Sequence, residues 1–167
     1  LATGAFVYTR EFGLSPTGFS IAFAVNAVGF FSASQLAGRL SGRFGMQRVI
    51  ALAISGFMAS TMLLALLAWV GLASLPVVVA GLFVANACLG LVIPTAMVMA
   101  MDPHPDIAGL AASLGGTIQM LTGGLMIVLT GLLFDSSAAG MVGAIAVCGV
   151  LAWLSAVASV PMQRLFA

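Results

Sequence analysis

The sequence predicts an all-α membrane protein, and its composition and charge distribution support that fold class. Hydrophobic residues make up 62% of the 167 residues and charged residues 5%, with no lysine. A soluble domain carries about 25% charged residues, so this chain has too few to cover a surface in water. The charges are also clustered, and the long uncharged stretches between the clusters predict helices that cross a bilayer.

The uncharged stretches give the number of spans. They cover residues 12–38, 49–101, 107–134 and 136–163. A helix needs about 20 apolar residues to cross about 30 Å of hydrocarbon. Three stretches therefore fit one span each, and the longest fits two, divided by the turn signal from Gly71 to Pro76. Capping residues then predict five complete spans at approximately 16–40, 47–71, 76–101, 106–134 and 137–162.

The first nine residues, Leu1 to Thr9, are too few to cross a bilayer. We interpret them as the end of a preceding helix whose beginning is missing, and the opening Leu in place of Met agrees with this. A signal-peptide remnant is the alternative, although a basic n-region and a small-residue cleavage site are both missing. The sequence is therefore expected to be part of a longer chain.

The arginines predict the orientation of the helices. Because successive helix ends alternate between the two sides of the membrane, one side holds four arginines and the other holds Arg10. The four are Arg39, Arg43, Arg48 and Arg164. The positive-inside rule places their side, and with it the C-terminus, in the cytoplasm.

Amide side chains distinguish the spans from one another. Asn26 and Gln35 lie in the first complete span, Asn86 in the third and Gln119 in the fourth. In hydrocarbon such groups usually face a helix interface or an aqueous cavity, so these three spans are predicted to be interior and the second and fifth to face lipid. Asn26, Asn86 and Gln119 are the candidates for lining a cavity. Alternatively, each amide ties two helices together.

Gly90 and Pro94 predict a local loosening of the third span, because proline removes one backbone hydrogen bond. One interpretation is a hinge or an unwound segment near a functional site. The other is a passive kink whose freed backbone groups are satisfied by neighbouring helices.

The sequence predicts no catalytic residue, metal site or cofactor. An HExxH motif is absent, and no His, Asp or Glu lies within a span, so an enzyme is not expected. Cys88 and Cys148 lie deep in apolar stretches without ligands at metal-binding spacing. His104, between Asp102 and Asp106, is interpreted as a solvated loop histidine. No nucleic-acid partner is expected.

A basic segment, Gly38–Arg48, follows the first complete span and is predicted to be a loop. By itself it is an orientation signal at an anionic membrane surface. Its sequence, GRLSGRFGMQR, also resembles the signature loop of the major facilitator superfamily, glycine-x-leucine-x-aspartate-arginine-x-glycine followed by basic residues. The matching residues are Gly38, Leu40, Arg43, Gly45 and Arg48. Gly42 stands where the motif has aspartate.

A narrower resemblance is to the Bcr/CflA group of drug:proton antiporters. It rests on GLVIPT at 90–95, on DPHPDIAGLAASLGG at 102–116, and on FVY at 6–8 with FGLSP at 12–16. In that group a proline-bearing tenth helix, a short acidic-proline loop and a similar entry to the eleventh helix recur. Thr95 stands where asparagine is often found. The resemblance covers the whole chain.

These resemblances imply the C-terminal six-helix bundle of a major-facilitator-type transporter, with its first helix truncated and its N-terminal half missing. They imply proton-coupled multidrug efflux across the bacterial inner membrane, an activity that confers antibiotic resistance. The implied partners are a small amphipathic drug, protons, the missing N-terminal half and the lipid bilayer. An uptake permease for a small metabolite and a non-transporting membrane subunit remain as alternatives.

Every acid in the chain falls at the end of a span. The acids are Glu11, Asp102, Asp106 and Asp135. Because intramembrane acids and histidines usually carry the coupled proton, the essential carboxylate of an antiporter is predicted to lie in the missing half.

Overall fold

A computed structural model describes residues 15–72, 74–102, 107–133 and 138–159. Within these residues the chain forms five α-helices in succession. They are α1 (Pro16–Phe44), α2 (Met46–Trp69), α3 (Leu75–Met101), α4 (Ala108–Leu133) and α5 (Ala138–Ser159). The predicted all-α class is confirmed. Several predictions fall outside the described residues, namely those on residues 1–14, His104, Asp106, Asp135 and Arg164.

Four of these helices are long and apolar enough to cross a membrane: α1, α2, α3 and, in α4, the segment Ala108–Leu129. In α5 the apolar stretch is shorter, Val142–Ala158. The whole of α5 has 22 residues, which at 1.5 Å per residue is about 33 Å, close to the thickness of the hydrocarbon layer. The chain is therefore a multi-pass membrane protein.

Capping residues are present at the starts of α1 and α3. Ser15 caps α1, because its hydroxyl accepts a hydrogen bond from the Gly18 N–H at 3.1 Å, and Pro16 follows as the first helical residue. Such a start satisfies one of the free N–H groups of the first turn. In α3, Ser74 is the N-cap and Pro76 lies in the first turn.

The predicted loop of residues 38–48 is wrong, because α1 continues to Phe44 and Gly45 alone separates it from α2. Gly45 has φ +86°, and its N–H donates to the Ser41 carbonyl at 3.0 Å. Glycine adopts this positive φ without a Cβ clash, so one residue is enough to end a helix and reverse the chain. Arg43 lies in the last turn of α1, where a positive charge stabilises the helix by interacting with its dipole.

α1, α2 and α4 pack against α3, and α5 packs against α2. α3 lies parallel to α1 and antiparallel to α2. One buried apolar residue from each of these four helices forms the common core: Ala22, Leu64, Val78 and Val142.

Burial within the chain differs from the pattern that the amides predicted. Of the four long apolar helices, α2, which has no amide in the core of its span, is the most buried, and α4, which carries Gln119, is the most exposed. Small residues explain the burial of α2, because they let backbones approach without any amide contact: a Cβ at Gly81 of α3 would clash with Leu64, and one at Gly149 of α5 would lie 2.9 Å from the Thr61 hydroxyl. The face of α2 turned away from α3 and α5 is exposed, with large side chains at Leu52, Leu63 and Leu66.

Candidate functional site

Two of the three predicted cavity amides meet between α1 and α3. The side-chain N–H of Asn86 donates to the Asn26 side-chain oxygen at 3.4 Å and to the Leu82 carbonyl at 2.9 Å. The Asn26 side-chain N–H donates to the Ala22 carbonyl at 2.9 Å. Asn26 is buried and Asn86 is half-buried. The pair therefore ties the two helices together, as the alternative interpretation of these amides predicted.

One acceptor of this pair is unused. Among the described residues, the side-chain oxygen of Asn86 accepts no hydrogen bond. A polar atom in an apolar environment costs about 1–3 kcal/mol when it is left unsatisfied, so this oxygen has a strong tendency to accept a donor from water or from a bound molecule. Asn86 is thus better placed than Asn26 to contact a ligand.

Glycines bring α1 and α3 close enough for the amides to meet. A Cβ added at Gly29 would lie 2.9 Å from the Phe83 ring, and one added at Gly90 would clash with the Phe30 carbonyl. Both glycines are buried. The two backbones pack closely at these points, a pattern typical of membrane helices with small residues at their interface.

A second polar contact joins the same two helices nearer their C-terminal ends. The hydroxyls of Ser41 and Thr95 lie 3.4 Å apart, and Thr95 is 3% exposed. Sequence reasoning left Thr95 without a role. The sequence feature that could have indicated a polar role for Thr95 is its position directly after the proline of a membrane span. Backbone groups freed by proline need other hydrogen-bond partners there.

α3 is a continuous helix through Gly90 and Pro94. Gly90 has a packing role in this structure, against Phe30. A hinge motion at these two residues stays a prediction.

Gln119 does not join the asparagine pair. It lies on α4 with an exposed side chain. α4 packs against α3 where Gly115 faces the Met97 side chain, since a Cβ at Gly115 would lie 3.6 Å from its terminal carbon. The structure therefore separates the three cavity candidates into one joined pair and one exposed amide.

The arginines of the signature segment lie on the surface at the joint between α1 and α2. Arg39, Arg43 and Arg48 are exposed, and the Arg43 guanidinium carbon lies 5.4 Å from the centre of the Phe44 ring. A cation at that distance from an aromatic ring is attracted by it. Positions 38 and 42 have no neighbouring atom within 4 Å of an added Cβ.

The buried polar side chains of the described residues are a neutral amide and two hydroxyls, those of Asn26, Thr61 and Thr95. Among the described residues, no group of three His, Cys, Asp or Glu side chains could hold a metal ion. Asp102, the described acid, is exposed at the C-terminal end of α3.

Comparison with known proteins gives one family and one relative. Residues 1–164 match the profile of the Major Facilitator Superfamily. An uncharacterized MFS-type transporter of Bacillus subtilis (strain 168), YdgK, is 30% identical over 152 residues, which cover 89% of this chain and 37% of that protein. The chain thus spans little more than a third of the length of this curated relative. No solved structure matches the chain significantly.

Proposed function

Since this chain belongs to the Major Facilitator Superfamily, we propose that it is the C-terminal half of a transporter that exports small amphipathic drugs in exchange for protons. The missing N-terminal half would supply the other wall of the substrate path, because transporters of this kind bind substrate between two repeats near the bilayer midplane.

The proposed substrate class is supported by the neutral character of the polar groups between α1 and α3. The amide pair of Asn26 and Asn86 lies between apolar helix faces, and Asn86 keeps one acceptor free. Mostly apolar sites with a few placed polar groups suit amphipathic molecules. A strongly charged metabolite would need an opposite charge, and within residues 49–101 there is none.

Proton coupling is assigned to a group outside this chain. Coupling needs a group that changes charge during the cycle, and intramembrane acids are its usual carriers. The acids here all lie at span ends. The essential carboxylate is therefore proposed to lie within a span of the remaining part of the transporter.

We place the transporter in the bacterial inner (plasma) membrane. The joint between α1 and α2 and the C-terminus are proposed to face the cytoplasm, since Arg39, Arg43, Arg48 and Arg164 would then lie on the cytoplasmic side.

A transport assay tests the proposal. The full-length transporter is expressed in a bacterial strain that lacks its own drug pumps, and accumulation of a chloramphenicol-type and a sulfonamide-type drug is measured. Accumulation should fall and should return to the control level when a protonophore collapses the proton gradient. Increased accumulation of a test compound would favour the uptake permease. No change for either drug, at normal protein abundance, would reject drug export.

A further inference from the structure

Three arginines form an exposed cationic cluster where α1 meets α2. Arg39 and Arg43 are four residues apart on α1 and so share one face of that helix. Arg48 lies in the first turn of α2, just beyond Gly45. All three side chains are exposed. We call Arg39, Arg43 and Arg48 the arginine cluster.

The arginine cluster has no neighbouring acid in the sequence. No Asp or Glu occurs between Glu11 and Asp102. α1 and α3 run parallel, so Asp102, at the C-terminal end of α3, is the described acid at this end of the bundle. Among the described residues, no ion pair or hydrogen bond of a side chain joins the cluster to another residue, and the one contact of its charged groups is that of Arg43 with the Phe44 ring. The positive charge is therefore not neutralised within the described part of the chain.

The length of α1 places the arginine cluster at the level of the lipid headgroups. α1 has 29 residues, about 43 Å at 1.5 Å per residue, and the hydrocarbon layer is about 30 Å thick. Its last turns therefore extend into the headgroup region. The exposed Phe44 supplies an apolar contact next to the charges, in keeping with aromatic residues that mark the membrane interface.

We propose that the arginine cluster binds the phosphate of an anionic phospholipid, with Phe44 against the glycerol and upper acyl region. The guanidinium group matches phosphate in a two-pronged geometry, and the phosphates at this depth belong to lipids. The site is distinct from the asparagine pair and does not depend on what the transporter carries or in which direction.

Lipid retention measures this binding. The full-length transporter is purified in detergent, mixed with equal amounts of phosphatidylglycerol and phosphatidylcholine, and examined by native mass spectrometry. Wild type should retain phosphatidylglycerol preferentially. The double substitution Arg39→Gln with Arg43→Gln should lower that preference by about fivefold per arginine, equivalent to about 1 kcal/mol each.

A second variant adds a carboxylate and leaves all three arginines in place. Gly42→Asp introduces an acid three residues after Arg39, and side chains at that spacing are neighbours on a helix surface. The site has open space for the new side chain. Gly38→Asp is the matched control, with the same added charge in equally open space but directly before Arg39, where the two side chains do not face each other. Gly42→Asp should lower phosphatidylglycerol retention more than Gly38→Asp does.

Three results would overturn the proposal. One is equal retention of both lipids by wild type, which would mean that another part of the polypeptide neutralises the cluster. Another is unchanged phosphatidylglycerol preference in the double variant, or, if that variant does not fold, in Gly42→Asp. The last is displacement of the lipid by millimolar inorganic phosphate, which would identify a site for soluble phosphate.

Discussion

Gly90 on α3 lies against the backbone carbonyl of Phe30 on α1, so closely that a side chain at position 90 would clash with it. Asn86 and Asn26 lie four residues before Gly90 and Phe30, one helical turn earlier on the same two helices. The contact at Gly90 therefore fixes the separation of the backbones at which the two amides meet. Packing and polar contact belong to one interface.

Gly90→Ala should destabilise the protein. The added methyl group would meet a backbone carbonyl, which cannot rotate away as a side chain does, and overpacking of this kind costs about 1–3 kcal/mol. Thermal unfolding of the full-length transporter in detergent should show a lower midpoint. Gly38→Ala, in open space on α1, is the control and should be neutral or slightly stabilising. Equal midpoints for the two variants would contradict the close approach.

Asn26 and Asn86 should show coupled effects on stability. The free energy of unfolding of Asn26→Ala, Asn86→Ala and the double variant forms a cycle, and the coupling energy should be about 0.6–2 kcal/mol. If the two single effects simply add, the amides do not interact in the folded protein. Drug selectivity should respond more to Asn86→Ala than to Asn26→Ala, because among the described residues the Asn86 oxygen accepts no hydrogen bond, whereas the Asn26 oxygen accepts one.

Gln119→Leu should change drug selectivity and leave protein abundance intact. The amide is exposed on α4, so its loss breaks no contact with the described residues, and a selectivity change would show that it faces the substrate path. Growth inhibition by a panel of amphipathic drugs, with membrane abundance measured in parallel, provides the readout. Met120→Leu, at an exposed apolar neighbour, is the control. Unchanged resistance to every drug would remove Gln119 from the site.

Cysteine labelling should place the α1–α2 joint inside the cell and the α2–α3 connection outside. In a variant with Cys88 and Cys148 replaced by alanine, Ser74→Cys should react with an impermeant thiol reagent added to intact cells, and Gly42→Cys should not. Both positions are exposed. Gly45 is unsuitable, because its φ of +86° would strain any other residue. The reverse labelling pattern would invert the proposed orientation.

Replacing the acids of this chain by amides should leave proton-driven efflux in place. Glu11→Gln, Asp102→Asn, Asp106→Asn and Asp135→Asn each remove a group at a span end, where it is not expected to carry the coupled proton. Efflux driven by an imposed pH gradient in vesicles is the measurement. Complete loss of drive in any of these variants, at normal abundance, would place the coupling group here. Retained drive would direct the search to an intramembrane acid elsewhere in the transporter.

The helices could be predicted from the sequence because their signals are local. Ser15 followed by Pro16 specifies a helix start through one hydroxyl and one fixed φ, and the structure has that cap. The length of each uncharged stretch predicts the spans in the same local way. In lipid the backbone hydrogen bonds of a helix must be made within that helix, whatever its neighbours are. The joint at Gly45 was harder, because three glycines within residues 38–45 made a loop as plausible as a helix that ends at a single residue.

The sequence by itself determined the membrane class, the helix succession and the candidate amides, because composition, span length and capping depend on residues close together in the chain. Only the tertiary structure decided which of those amides meet. Asn26 and Asn86 are sixty residues apart, and their contact depends on the parallel packing of α1 against α3 at Gly29 and Gly90. Gln119 also carries an amide, but it does not reach the asparagine pair, because it lies on an exposed face of α4. Helix packing depends on shape complementarity between distant segments, which local sequence patterns do not specify.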